Sequence, residues 1–268
     1  MFKKLLLFFV LFTGSIFGKL NVPPVQEGLP MPGKRVKVHL TQDVYYTLYL
    51  PHDYDSFKRW PVLFESPCNA TGTKPTDYSG LPDDAYMSYG LSLGHGYIWV
   101  GAPYIDETGK QISVFWWGGF LKNTIGIENT VKYWLEILKD LNHRFPIDNE
   151  AIILGGFSRG AIGALHIGNW NNEISQKWCA YFTHDHFDSD SYGAGYSIRV
   201  SRIRKKKILM TGGQNSYASY VYQAYLDLIK YSIDATYMMI PNQGHTMDWI
   251  LEDYSPEASA ARYWLNNL

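Results

Sequence analysis

Gly156-Phe157-Ser158-Arg159-Gly160 sets a serine between two glycines, directly after the apolar run Ala151-Ile152-Ile153-Leu154 and directly before Ala161-Ile162-Gly163-Ala164-Leu165. Strand, sharp turn and helix in that order make a nucleophile elbow, in which small flanking residues let a strained turn lift the hydroxyl above the sheet edge. A serine so presented attacks a carbonyl carbon once a base takes its proton, so acyl transfer to water is the predicted chemistry, with no cofactor required. Gly-x-Ser-x-Gly alone recurs by chance. The strand before it and the helix after it separate this one from a glycine-rich turn around an inert serine. A second chemistry-bearing cluster is His184-Asp185-His186-Phe187-Asp188. Alternate strand residues share a face, so two imidazoles and a carboxylate there are types that a divalent cation takes. His-x-His is weakly specific, and loop-ordering or substrate-contacting histidines account for it equally, so no metal is assigned.

The elements that must position these groups follow from periodicity. Val36 to Leu40 and Tyr45 to Leu50 alternate with period two across Thr41-Gln42-Asp43, which predicts an antiparallel hairpin. Pro61 to Phe64 and Tyr97 to Gly101 are short apolar runs of the buried parallel type. Val131, Trp134, Leu135, Leu138 and Leu141 recur at helical spacing and lead, past Pro146, into the elbow strand. Strands are then expected at Trp178 to Thr183, Ile208 to Thr211 and Ala235 to Ile240, with helices at Tyr217 to Tyr231 and Pro256 to Leu265. The result is an α/β fold with a mostly parallel eight-stranded sheet and helices on both faces. Ligands of such sheets bind beyond the carboxyl ends of the strands.

At 268 residues, with no linker or low-complexity stretch, the chain reads as one domain over residues 19–268 behind a leader. Met1-Phe2-Lys3-Lys4, the apolar run Leu5 to Phe12 and the small residues up to Gly18 have the order of a removed signal peptide, residues 1–18, too short to span a bilayer comfortably. A secreted or periplasmic protein with no stable membrane span after cleavage is expected. Losing Lys3 and Lys4 takes the formal net charge from -1 to -3, which suggests no nucleic-acid partner. The basic run Arg202 to Lys207 reads as a solvated strand entrance. Cys68 and Cys179 fall at opposite ends of non-adjacent strands and are expected to stay unpaired.

In element order, and in Tyr46-Thr47-Leu48-Tyr49-Leu50-Pro51, Trp60-Pro61-Val62-Leu63 and the elbow, the chain resembles the α/β-hydrolase family, specifically secreted esterases of the feruloyl-esterase and polyhydroxybutyrate-depolymerase type. The resemblance implies a serine, acid, histidine order. His245, in Pro241-Asn242-Gln243-Gly244-His245 after the last strand, takes the place of the base. At the usual acid turn, Gly212-Gly213-Gln214-Asn215, the chain departs from the pattern: asparagine stands where aspartate is usual, and such an exchange in a serine-protease triad lowers turnover ~10⁴-fold. The turn after Thr183 supplies a replacement, with Asp188 preferred over Asp185 because it lies further along the loop; Asp248 is a further carboxylate near His245. Oxyanion donors are expected from the Arg159 N–H and, since Pro67 has none, from Cys68 or Asn69. Trp116 and Trp117, flanked by glycines on the same rim, are candidate substrate contacts. The resemblance and the aromatic content together imply an ester hydrolase acting on a small-molecule, carbohydrate-linked or aromatic ester. A serine peptidase, or a catalytically weak or inactive binding protein that kept the fold, are the alternatives.

Overall fold

A computed structural model describes residues 18–72, 78–115, 124–187 and 195–268. The expected signal peptide, apart from Gly18, lies outside the described residues, as do Trp116, Trp117 and Asp188. The strands are β1 (Val25–Gln26), β2 (Arg35–His39), β3 (Tyr45–Tyr49), β4 (Trp60–Ser66), β5 (Ile98–Gly101), β6 (Ile147–Phe157), β7 (Ala180–His184), β8 (Lys207–Gly213) and β9 (Ala235–Ile240). They form one sheet in the order β1-β2-β3-β5-β4-β6-β7-β8-β9. As the period-two pattern predicts, β2 and β3 pair antiparallel, and every pair from β5 and β4 through to β9 is parallel. Among the described residues the strand beyond the expected eight is β1, two residues pairing with β2 at the edge and too short to show any periodicity.

The helices are α1 (Met87–Ser92), α2 (Thr124–Arg144), α3 (Arg159–His166), α4 (Asn172–Ser175), α5 (Tyr196–Arg202), α6 (Ala218–Lys230) and α7 (Pro256–Leu265). Alternation along the central strands builds two cores. Val62 and Phe64 of β4, Ile152 and Leu154 of β6, and Ile208 and Met210 of β8 pack with the apolar stripes of α2, α3 and α6. Leu63, Ile153 and Leu209, one residue out of phase, face the other way and pack with α1, α7 and the single turn Asp248–Leu251. Strand residues point alternately to opposite faces, so a sheet covered on both sides needs apolar residues at nearly every central position. The elbow strand shows this, with its last six residues all buried. Cys68 follows β4 and Cys179 precedes β7, both as free thiols. No described helix is long and apolar enough to cross a membrane.

Candidate active site

The turn from β6 into α3 places Ser158 at φ 55° and ψ −117°, a region that non-glycine residues rarely occupy. That conformation needs room on both sides. A Cβ on Gly156 would run into the backbone of Gly160, and one on Gly160 into the carbonyl of Ser66. The Ser158 amide donates to the carbonyl of His184 at 3.0 Å, while its own carbonyl starts α3 by accepting from Ile162 at 3.1 Å.

His245, in the turn after β9, lies with Nε2 2.9 Å from Ser158 Oγ and Nδ1 2.8 Å from Asp185 Oδ2. Asp185 is fully buried and stands in the first position past β7, at φ 64°. Its carboxylate also takes the Gly213 N–H at 2.7 Å and lies 3.1 and 3.0 Å from the Ser216 hydroxyl. Burial pushes this carboxyl up. The His245 ring, the neighbouring His184 and the Gly213 amide outweigh that and hold it below the ordinary carboxylate value. An ionised Asp185 can only accept, so His245 carries its proton on Nδ1 and offers the Nε2 lone pair to Ser158. Phe157, Tyr217 and His186 wall the imidazole, with ring centroids 4.6, 4.9 and 6.0 Å away.

The structure brings Ser158 and His245 together, and it places the alternative acid, Asp185, against the imidazole; Asp188 lies outside the described residues. Asp185 meets Nδ1 because the left-handed turn immediately after β7 carries the first carboxylate of the loop to His245. Asn215 is exposed and serves through its backbone N–H, bonded to the Gln243 carbonyl at 2.9 Å. Its turn nevertheless contributes, since Gly213 and Ser216 solvate the carboxylate that stands one strand away. Only the small residues of Gly212-Gly213-Gln214-Asn215-Ser216 signal that role. Asp248 accepts from the Tyr86 hydroxyl at 3.2 Å and pairs with Lys19 at 2.9 Å, away from the imidazole. His184 uses both ring nitrogens on protein, at 2.9 Å from Thr211 Oγ1 and 2.9 Å from the Thr246 carbonyl. It has no nitrogen left for a metal, and among the described residues no His, Cys, Asp and Glu cluster has a ligand arrangement. His186 has a buried Nδ1 with no hydrogen-bond partner among the described residues, and burial lowers its pKa to about 4.

On the other side of the serine, the turn after β4 lies against the first turn of α3. The Tyr104 hydroxyl bonds Ser66 Oγ at 2.9 Å and the Arg159 carbonyl at 3.3 Å. The Arg159 N–H is in the first position of α3, where helix amides have no intrahelical acceptor, and Cys68 is buried in the facing turn beside half-buried Asn69. The Arg159 side chain is a feature that the motif did not disclose. It is fully buried, donates to the carbonyls of Ser113, Phe115 and Gly80, and lies 4.2 Å from the Tyr104 ring centroid. Burial lowers its pKa only to about 10, so it stays charged at neutral pH.

No protein-family model and no curated protein sequence matches the chain. Solved structures do. A ferulic acid esterase of Anaeromyces mucronatus, in complex with ferulic acid, superposes with a TM-score of 0.54 at 18% identity, over 85% of this chain and 90% of that one. An S-formylglutathione hydrolase of Staphylococcus aureus gives 0.50 at 15% identity, over 82% and 92%. The AtxE2 isopeptidase gives 0.55 at 16% identity, over 84% of this chain and 38% of that one. The chain has the α/β-hydrolase fold. Ser158 follows β6, Asp185 β7 and His245 β9, each beyond the carboxyl end of its strand.

Proposed function

We propose that the protein is a secreted serine hydrolase that cleaves a carboxylic ester through an acyl-serine intermediate. The observation that carries the reading is the unbroken relay from Ser158 Oγ to His245 Nε2, 2.9 Å, and from His245 Nδ1 to Asp185 Oδ2, 2.8 Å. In this reading His245 takes the serine proton as Oγ bonds to the carbonyl carbon, and Asp185 stabilises the resulting imidazolium. The developing oxyanion is held by the Arg159 amide and by an amide of Cys68 or Asn69. The imidazolium then gives its proton to the leaving alkoxide as the ester C–O bond breaks. A water, deprotonated by His245, releases the acid and restores the serine.

The inactive-protein alternative drew on the asparagine at the usual acid turn, and Asp185 removes that ground. For the substrate, an aromatic or carbohydrate-linked ester is favoured by exposed rings near the relay: Tyr217, 39% exposed, lies 4.9 Å from the His245 ring, and Phe115, 60% exposed, is tied through its carbonyl to Arg159, the residue after the serine. Trp116 and Trp117 extend the same segment. Export rests on the order of charges and apolar residues in 1–18.

The test is hydrolysis of p-nitrophenyl acetate and of a p-nitrophenyl cinnamate-type ester by wild type and Ser158→Ala, with mass spectrometry of the trapped acyl-enzyme. Wild type is expected to burst and to carry the acyl group on Ser158. Equal rates for the two proteins end the proposal.

A further inference from the structure

We propose that His184 is the positioning residue of this relay, a buried imidazole that holds the base turn in register with the serine and the acid. The proposal rests on the reading of Ser158, His245 and Asp185 as a working set. His184 is the last residue of β7 and is fully buried. Three separate ties run from it. Its carbonyl accepts the Ser158 amide at 3.0 Å, so the nucleophile turn hangs on β7 at this residue. Its chain successor is Asp185, whose own N–H is fixed to the Thr211 carbonyl at 2.8 Å. Its ring lies 2.9 Å from the carbonyl of Thr246, the residue after His245.

The protonation pattern follows from the partners. A carbonyl only accepts, so Nε2 carries a hydrogen and donates to Thr246. Burial lowers the pKa to about 4, which keeps the ring neutral, so Nδ1 is an acceptor, 2.9 Å from the Thr211 hydroxyl, whose single hydrogen also faces the Thr183 carbonyl at 3.1 Å. His184 Nε2 also lies 3.7 Å from Asp185 Oδ2, the oxygen that meets His245 Nδ1, and its hydrogen adds positive potential there. The ring is clamped between Phe157, stacked at 5.6 Å, and Trp249 at 5.5 Å. An imidazole so enclosed touches no substrate.

Two of the three ties are backbone or sequence adjacency and would survive any side chain. The third is specific to the ring. The turn Pro241–Met247 has no regular structure of its own, and the position of His245 depends on what fastens it. Without a donor at His184 the Thr246 carbonyl is left unsatisfied, and the His245 ring is free to drift from Asp185. Misplacement of a reacting group by about 1 Å costs on the order of 100-fold in rate.

The experiment compares His184→Leu, which removes the donor, with His184→Gln, whose amide N–H can reach Thr246, and with His184→Asn, which is too short. For p-nitrophenyl acetate, kcat per serine titrated by a fluorophosphonate is expected to fall roughly 10- to 100-fold in Leu and Asn with KM within about twofold of wild type, and to recover to within about fivefold in Gln. An activity-independent readout is the low-field proton resonance of His245 Nδ1–H. It should broaden or vanish in Leu and Asn and persist in Gln. If Leu does not fold, Asn against Gln carries the comparison. Unchanged kcat and resonance in Asn, or equal loss in Asn and Gln, overturns the proposal. Failure of ester hydrolysis itself would show as Ser158→Ala matching wild type, and the resonance would still decide the role of His184.

Discussion

The two sides of the serine are built by different means. On the side of β7, β8 and β9, short turns on adjacent parallel strands bring Asp185, Gly213, Ser216 and His245 together. Backbone ladders fix those turns, and they carry one carboxylate, one imidazole and the neutral donors that hold the carboxylate. On the side of β4 and β5, longer connections reach the serine, and one buried guanidinium gathers the carbonyls of Gly80, Ser113 and Phe115 while the Ala70 amide bonds the Val114 carbonyl at 2.9 Å. A buried cation is costly unless its donors are used, and here both terminal nitrogens of the guanidinium are spent on loop backbone, while Nε has no partner among the described residues. The Ser158–His245–Asp185 relay therefore depends on sheet register, whereas the loop wall on the other side of the serine depends on a side chain.

The sharpest way to break this division is at the acid. Asp185→Asn keeps the shape and removes the charge that stabilises the imidazolium, so kcat for p-nitrophenyl acetate should fall about 10⁴-fold with KM little changed. That is about 5 to 6 kcal/mol of barrier. Asp188→Asn in parallel should cost less than threefold. The reverse result would move the relay to Asp188 and detach it from the β7 register.

On the other side, Arg159→Met keeps the bulk of the side chain and loses its three carbonyl contacts. The expected effect is about tenfold in kcat/KM for a cinnamate-type ester, mostly in KM, and less than threefold for the acetate, because the relay is untouched. Arg159→Lys restores the charge without the fork and should recover part of the loss. Equal losses for both esters would mean that the guanidinium serves the oxyanion turn rather than the wall.

The difference also has a pH signature. Burial holds His184 and His186 to about 4 in the folded protein, below the 6.5 of an ordinary imidazole. The unfolded chain takes up protons there first, so stability is full above about pH 6.5 and is lost as pH falls toward 4. Arg159 stays charged throughout that window. Melting at pH 7.5 and pH 5 should show a drop of several degrees, roughly 5 °C, and amide exchange should open the β7 and β8 ends before the 113–115 segment. Earlier opening of 113–115 would contradict the assignment.

Legibility in the sequence divided along the same line. The sheet, the elbow and His245 follow from apolar periodicity and from glycines at the places where a strained turn needs them. The contact of Asp185 with His245 did not, because it depends on a left-handed φ at a non-glycine residue, which leaves no trace in residue type beyond the tolerance of aspartate for it. The His184 ring suggested a ligand by type and proved to be an internal donor, a distinction that burial alone decides. Arg159 stood in the motif as a backbone donor; what its guanidinium binds lies 44 to 79 residues away along the chain. No local pattern encodes contacts at that separation.

Asn215 gives the smallest expected change and tests the division most finely. It occupies the turn where an acid was sought, yet its side chain is exposed and its contribution is a backbone N–H that alanine would retain. Asn215→Ala should therefore leave kcat and KM for the acetate within about twofold of wild type. Ser216→Ala, one residue on, removes a hydroxyl from the Asp185 carboxylate and should lower kcat about tenfold, at the ~1.5–3 kcal/mol scale of a hydrogen bond to a charged group. The two alanines sit side by side in one turn, so unequal effects locate the functional contact at the hydroxyl, and equal effects would assign it to the turn's conformation.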